Sequence, residues 1–422
     1  MLRQSDVSGL IWRLYTISML FMVFLSFSSE NAGDGFYPKY YAFLILICMM
    51  SALPISSDFL TYLHTRRASV FFYFAFVGTI FVWNFIVSDF QIFYSLLVLA
   101  TSLVGGTIFV IGRVRPNLMM KVIRTVILVN VLGLIYQYML FAATGTVPYL
   151  HGELFPFSRD SYMLTIAGGF DRFTGLQMEP GGYSSMITLA LIYYRSLSGR
   201  VDRTFVLGAM SVVMTFSTVA MIYFAVLVLV ILLEVNWSKP RNLAIALSAF
   251  FLVIGVLIFG GVIESILGRF DNGYEGDSSL NVKVLNIISY TQFSFEELIS
   301  GMGVERIDRD CVGCNFVKSN GVFFYMVYSL GLVGFLFILA LLIRAGQNGL
   351  ACFCFAIVLL LCRYPLNVPV FWLIFLCLWN WKQPFPKRVV HRGSARAGPQ
   401  GPRGQAAYRL MPAGPKQSHE NL

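Results

Sequence analysis

The chain has 422 residues, of which 57% are hydrophobic and 12% charged, with a mean hydropathy of +0.72. A soluble domain carries roughly 25% charged residues, so the composition excludes one large water-soluble domain, a disordered chain and a nucleic-acid-binding protein. The net charge of +10 is spread unevenly, and its placement says more than its sum.

Apolar runs of about 20 residues, each long enough to cross a bilayer as a helix, recur along most of the length. The predicted fold class is all-α: a polytopic integral membrane protein of about twelve spans, at 11–29, 38–56, 68–87, 91–111, 125–144, 182–198, 204–217, 219–235, 242–261, 321–343, 349–362 and 366–381. The first run stays apolar past Ser28 without a small-residue cleavage pattern, so it reads as a span and not a cleaved signal. No internal repeat is visible, which argues against a two-fold transporter architecture.

Lys and Arg fix the sides. With the N-terminus inside, the short inner turns carry Arg66 and Arg67; Arg113, Arg115, Lys121 and Arg124; Arg195, Arg200 and Arg203; Lys239 and Arg241; and Arg344. The short outer turns carry only Arg363, with Lys39 at a span edge. Both termini are therefore predicted to be cytoplasmic. Two outer segments, 145–181 and 262–320, are long, and long loops tend to carry function. The Gly-, Pro- and Ala-rich segment 382–422 holds eight of the 31 basic residues and reads as a disordered cytoplasmic tail, or else as a patch for anionic lipid.

Polar residues inside apolar runs are scarce: Asn84, Asn130, Gln137 and Glu234. Asn130 and Gln137, seven apart, share a helical face and either line a polar passage or hydrogen-bond between helices. The first outer loop ends in Asp171-Arg172-Phe173-Thr174-Gly175-Leu176-Gln177-Met178-Glu179-Pro180-Gly181-Gly182. Pro180 suits a first helical turn and Glu179 the positive end of the helix, so Arg172 and Glu179 read either as an interfacial anchor and a cap or as a functional pair. In the second loop, Leu280, Val284, Ile287, Ile288 and Ile299 recur at helical spacing, fitting a segment on the membrane surface or a solvated amphipathic helix.

Cys48, Cys352, Cys354 and Cys377 sit in apolar runs as small hydrophobes, and Cys362 ends one. Cys311 and Cys314 form a CxxC in a polar stretch, read as a local disulfide or a pair of thiols; a redox role lacks its thioredoxin-like context. The histidines are His64, His151, His391 and His419, and neither a P-loop nor HExxH occurs, so no metal ligand set and no cofactor is predicted.

The R-x-x-G-x-x-x-E-P stretch carried by Arg172, Gly175, Glu179 and Pro180, set before an apolar span, resembles the signature of the O-antigen polymerase and ligase superfamily. Further features stand in the family's order: the Thr215-Phe216-Ser217 corner, a large outer loop, Gly301-Met302-Gly303 late in it, Asn320-Gly321 opening a helix, and Gly331-Leu332-Val333-Gly334 within that helix. The similarity covers roughly 125–345.

The resemblance implies a GT-C-like glycosyltransferase architecture and a Wzy-type polymerase at the periplasmic face of a bacterial inner membrane. Such an enzyme joins undecaprenyl-diphosphate-linked repeat units into O-antigen or exopolysaccharide, beside a flippase and a chain-length regulator of the same pathway. It implies catalytic roles for Arg172, Glu179 and Arg269, and a diphosphate clamp of Arg172, Arg269, Lys283 and, in reserve, Arg306. Lys283 stands where the family has a second arginine, and a lysine point charge does not grip phosphate bidentately. Glu179 either serves the acceptor hydroxyl or holds Arg172 in place. Two other functions stay open. One is the O-antigen ligase, disfavoured by the lack of a histidine in the large loop. The other is a polysaccharide exporter, disfavoured by charges that gather in loops.

Overall fold

The computed structural model describes residues 67–87, 92–154, 165–166, 170–177, 179–234, 288, 293–303, 320–362, 366 and 368–381. The predicted spans 11–29, 38–56 and 242–261 and the tail 382–422 lie outside the described residues.

The described residues are helical apart from connecting turns and one two-residue strand pair. In chain order the elements are α1 (Arg67–Val87), α2 (Ile92–Val114), α3 (Pro116–Thr144), α4 (Leu150–Leu154), β1 (Thr165–Ile166), β2 (Phe170–Asp171), α5 (Pro180–Ser198), α6 (Arg203–Val213), α7 (Thr218–Glu234), α8 (Phe295–Ser300), α9 (Val322–Asn348), α10 (Leu350–Leu361) and α11 (Pro369–Trp379). β1 and β2 pair antiparallel, Thr165 opposite Asp171 and Ile166 opposite Phe170. Four helices are long and apolar enough to cross a membrane: Val70–Val87, Ser95–Val114, Pro116–Thr144 and Val322–Asn348. α6, α7, α10 and α11 are apolar but shorter.

Several boundaries differ from the hydropathy reading, each for a local reason. α3 begins at Pro116 and not at 125, because Lys121 and Arg124 point outward and do not interrupt the helix. Pro116 fits the first turn, and Gly145, at φ 72, closes the far end by donating its N–H to Phe141. α6 starts on an Asp202 cap that accepts from the Thr204 and Phe205 N–H groups. It stops at Val213 and not 217: Thr215 and Phe216 fold back onto the Val212 and Val213 carbonyls, and Phe216 takes φ 50.

α5 is the hub. Nearly all its side chains are buried, from Tyr183 through Leu197, so it runs through the middle of the bundle and not along its rim. Its hydroxyls satisfy themselves locally: Ser184 donates to the Pro180 carbonyl at 2.8 Å and Thr188 to that of Ser184 at 2.7 Å. Elsewhere helices meet through small residues and stacked rings. Gly105 of α2 lies against the Pro369 carbonyl and Trp372 of α11, where a Cβ would come within 2.7 Å of both. Phe76 of α1 stacks on Phe337 of α9 at 3.7 Å. Cys352, Cys354, Cys362 and Cys377 are buried thiols, as their apolar settings predict.

The end of α11 is clasped by side chains from other helices. Arg113 donates to the Asn380 carbonyl at 3.1 Å, Arg344 to that of Trp379 at 3.2 Å, and Asn348 to that of Leu378 at 3.0 Å. Two of these donors are cations at the negative end of a helix. Nearby, Arg195 grips Glu234 through two bonds of 2.7 Å and lies over the Trp381 ring. Glu234, flagged in the sequence as an intramembrane acid, is thus half of an ion pair.

Candidate functional site

The R-x-x-G-x-x-x-E-P stretch is not a loop standing clear of the helices. It runs antiparallel along α3, from the Thr144 end towards the middle. Phe173 stacks on Tyr138 at 3.6 Å and meets Phe141 edge-on. Gly175 packs at Leu134, Leu176 at Gly133, and Gln177 bonds to Asn130. From Phe141 to Asn130 the descent is about 16 Å.

Two side chains of α3 make this possible. Gln137 Oε1 accepts the backbone N–H groups of Thr174 and Gly175, both at 2.8 Å. Its Nε2 donates to the Pro148 carbonyl at 2.7 Å and to Thr174 Oγ1 at 3.4 Å, so all four of its hydrogen-bonding positions are used. Asn130 Oδ1 accepts from Gln177 Nε2 at 3.0 Å while its own Nδ2 donates to the Val126 carbonyl. Both residues are essentially inaccessible to solvent. Of the two sequence readings, hydrogen bonding is what occurs, and its partner is the motif segment and not another long helix.

Gly175 is required at its position. Its φ is +56, and a Cβ would stand 3.0 Å from the Tyr183 ring and 3.2 Å from the Leu134 nitrogen. His151, buried on α4, closes the other side: its Nδ1–H donates to the Leu176 carbonyl at 2.9 Å. Burial lowers the His151 pKa below its usual 6.5, because the charged imidazolium loses its hydration there.

At the foot of the segment, Glu179 takes the N-cap position of α5, with φ −133 and ψ 150, and its carbonyl accepts from Tyr183 N. The capping reading is corrected in one respect: the Glu179 side chain makes no capping bond. Among the described residues its carboxylate has no hydrogen-bond or ionic partner, and none joins it to Arg172. Arg172 is half-buried, with its Nε enclosed. Beside this helix start lies a hydroxyl seam: Tyr183 donates to Ser211 at 3.0 Å, the Ser184 and Thr215 hydroxyls lie 2.9 Å apart, and Tyr223 donates to the Leu361 carbonyl at 3.1 Å. The seam ends at the Phe216 corner, whose positive φ is strained for a residue with a Cβ.

The glycine motifs of the second half also meet. Inside α9, Gly331 breaks the helix at φ 54, ψ −132. The freed carbonyls of Tyr328 and Ser329 accept from Met302 N at 2.8 Å and Gly303 N at 2.9 Å. Gly301 and Gly331 touch backbone to backbone; a Cβ on Gly331 would fall 2.2 Å from the Ile299 oxygen. Trp83 of α1 completes the dock by donating from Nε1 to the Ser300 carbonyl at 2.8 Å. The preceding α8 opens on a capping box between Ser294 and Glu297.

Of the residues singled out in the sequence, Arg172 and Glu179 are on opposite ends of one docked segment. Arg269, Lys283, Arg306, Cys311 and Cys314 lie outside the described residues. Sequence reasoning passed over His151, Trp83 and Gln177; a lone buried histidine or tryptophan carries no pattern. No cluster of three or more His, Cys, Asp or Glu suited to a metal is present among the described residues. Comparison with family models, curated proteins and solved structures finds no match for this chain.

Proposed function

We propose that the chain is a glycosyltransferase of the Wzy type, a polymerase of lipid-diphosphate-linked oligosaccharide repeat units acting at the periplasmic face of a bacterial inner membrane. The observation that supports this is the motif segment itself: a stretch bearing one arginine and one unpaired carboxylate, pinned at fixed depth by Gln137, Asn130 and His151. A surface anchor needs no such support. A site that must meet a membrane-bound diphosphate and a sugar hydroxyl does.

In this reading the acceptor hydroxyl oxygen attacks the anomeric carbon of the donor glycan. The bond from that carbon to the diphosphate oxygen breaks, and the lipid diphosphate leaves with the electron pair. Arg172, with Arg269, Lys283 and Arg306, stabilises the growing negative charge on the leaving group. Glu179 takes the hydroxyl proton, which its unengaged carboxylate suits.

The test is the ladder of glycan lengths on a gel, in a strain lacking the native copy. Arg172→Ala and Arg269→Ala should each reduce polymer by about 10²–10³, leaving single repeat units on the lipid acceptor at normal protein level. Arg172→Lys should stay impaired if the guanidinium grips phosphate bidentately. A normal ladder from both alanine variants rules the clamp out. Lipid-linked polymer that never reaches lipid A would make the protein the ligase instead.

A further inference from the structure

The placement of α8 points to a contact that the polymerase reading does not include. Two sets of bonds fix its depth. Trp83, which holds Ser300, stands about 7 Å along the axis from the middle of the Val70–Val87 span. Tyr328 and Ser329, which hold Met302 and Gly303, stand about 10 Å from the middle of α9. Both distances fall inside the half-thickness of a bilayer's hydrocarbon core, about 15 Å. The two estimates come from different helices and agree.

At that depth α8 presents an apolar arc away from the protein. Phe295, Leu298 and Ile299, at i, i+3 and i+4, are 79%, 40% and 39% exposed. Glu296 and Glu297 fall on the opposite arc, and Glu297 is held by its bonds to Ser294. The apolar arc also continues an existing belt: Val82 and Ile86, either side of Trp83 on α1, are each 53% exposed.

We infer that α8 is embedded in the bilayer: its Phe295–Leu298–Ile299 arc contacts lipid acyl chains in the leaflet at the Val87 end of α1. The segment 294–303 is then a re-entrant element, with its Met302 and Gly303 N–H groups satisfied by the break in α9. The large loop does not stand wholly in water.

The experiment uses the full chain in vesicles of radiolabelled phosphatidylethanolamine and phosphatidylglycerol, with photoreactive benzoylphenylalanine placed singly at Phe295, Leu298, Glu296 or, as a lipid-facing control on α9, Leu336. On illumination Phe295 and Leu298 should capture lipid label within about twofold of Leu336 and about fivefold or more above Glu296. Capture at the Glu296 level, while Leu336 captures normally, overturns the inference. So does cross-linking of Phe295 and Leu298 to protein, whether another segment or a second copy. Ile299, on the same arc, carries the probe if either variant fails to accumulate. The readout is lipid contact and not polymer, so a negative result leaves the polymerase reading standing.

Discussion

Segments 173–177 and 301–303 face the same difficulty and solve it differently. Each is non-helical chain pressed along a long apolar helix, where unpaired N–H groups are costly. Against α3 the helix stays whole and side chains reach out: Gln137 accepts two N–H groups and Asn130 binds Gln177. Against α9 the helix itself opens at Gly331, and its own Tyr328 and Ser329 carbonyls become the acceptors. The first solution needs polar side chains and tolerates an ordinary helix. The second needs none from its long helix, but it needs glycines where two backbones touch.

The comparison is broken most severely at Gly331. Gly331→Ala places a Cβ 2.2 Å from the Ile299 oxygen at a positive φ, with backbone on the far side and nothing able to swing away. A loss above about 4 kcal/mol is expected, read as failure to accumulate in the membrane or early unfolding in detergent. Gly175→Ala shares the positive φ, but its closest contact is a Tyr183 ring at 3.0 Å, so it should cost less. If the two variants are equally damaging, crowding is not what separates the docks.

Next comes Gln137. Gln137→Leu strands the Thr174 and Gly175 N–H groups, at about 1–3 kcal/mol each. Gln137→Glu keeps the acceptor and should fall between the variant and the parent in detergent unfolding. An undiminished midpoint for Gln137→Leu would mean that other contacts hold the segment.

His151 gives a smaller effect and a finer readout. His151→Asn places an amide donor near the position of Nδ1 and should retain the Leu176 bond, whereas His151→Leu loses it, at about 1 kcal/mol. The histidine also sets a pH dependence. Its folded pKa lies below 6.5, so between those two values the unfolded chain binds more protons and stability rises with pH. Its contribution is complete above about pH 6.5 and is lost as pH falls towards the folded pKa. Unfolding midpoints in detergent should therefore drop between about pH 7.5 and pH 5.5, and the drop should shrink in His151→Asn. The smallest effect on stability is expected at Glu179→Gln, within about 0.5 kcal/mol, since that side chain caps nothing.

Much of this was legible in the amino-acid order. Hydropathy marks the apolar helices, Pro180 marks a helix start, and Asn130 and Gln137 stand out as polar residues on one face of an apolar run. What they bind was not legible. A 3.6-residue period says that a face is buried but not which segment covers it, so the order of residues did not show that 173–177 packs along α3. The break at Gly331 is still less visible, because its hydrogen bonds are backbone to backbone and every non-proline residue offers the same N–H and C=O. The depth of both segments therefore belongs to the tertiary structure alone: composition determines which stretches prefer hydrocarbon, while only packing decides where a polar stretch finds enough partners to join them.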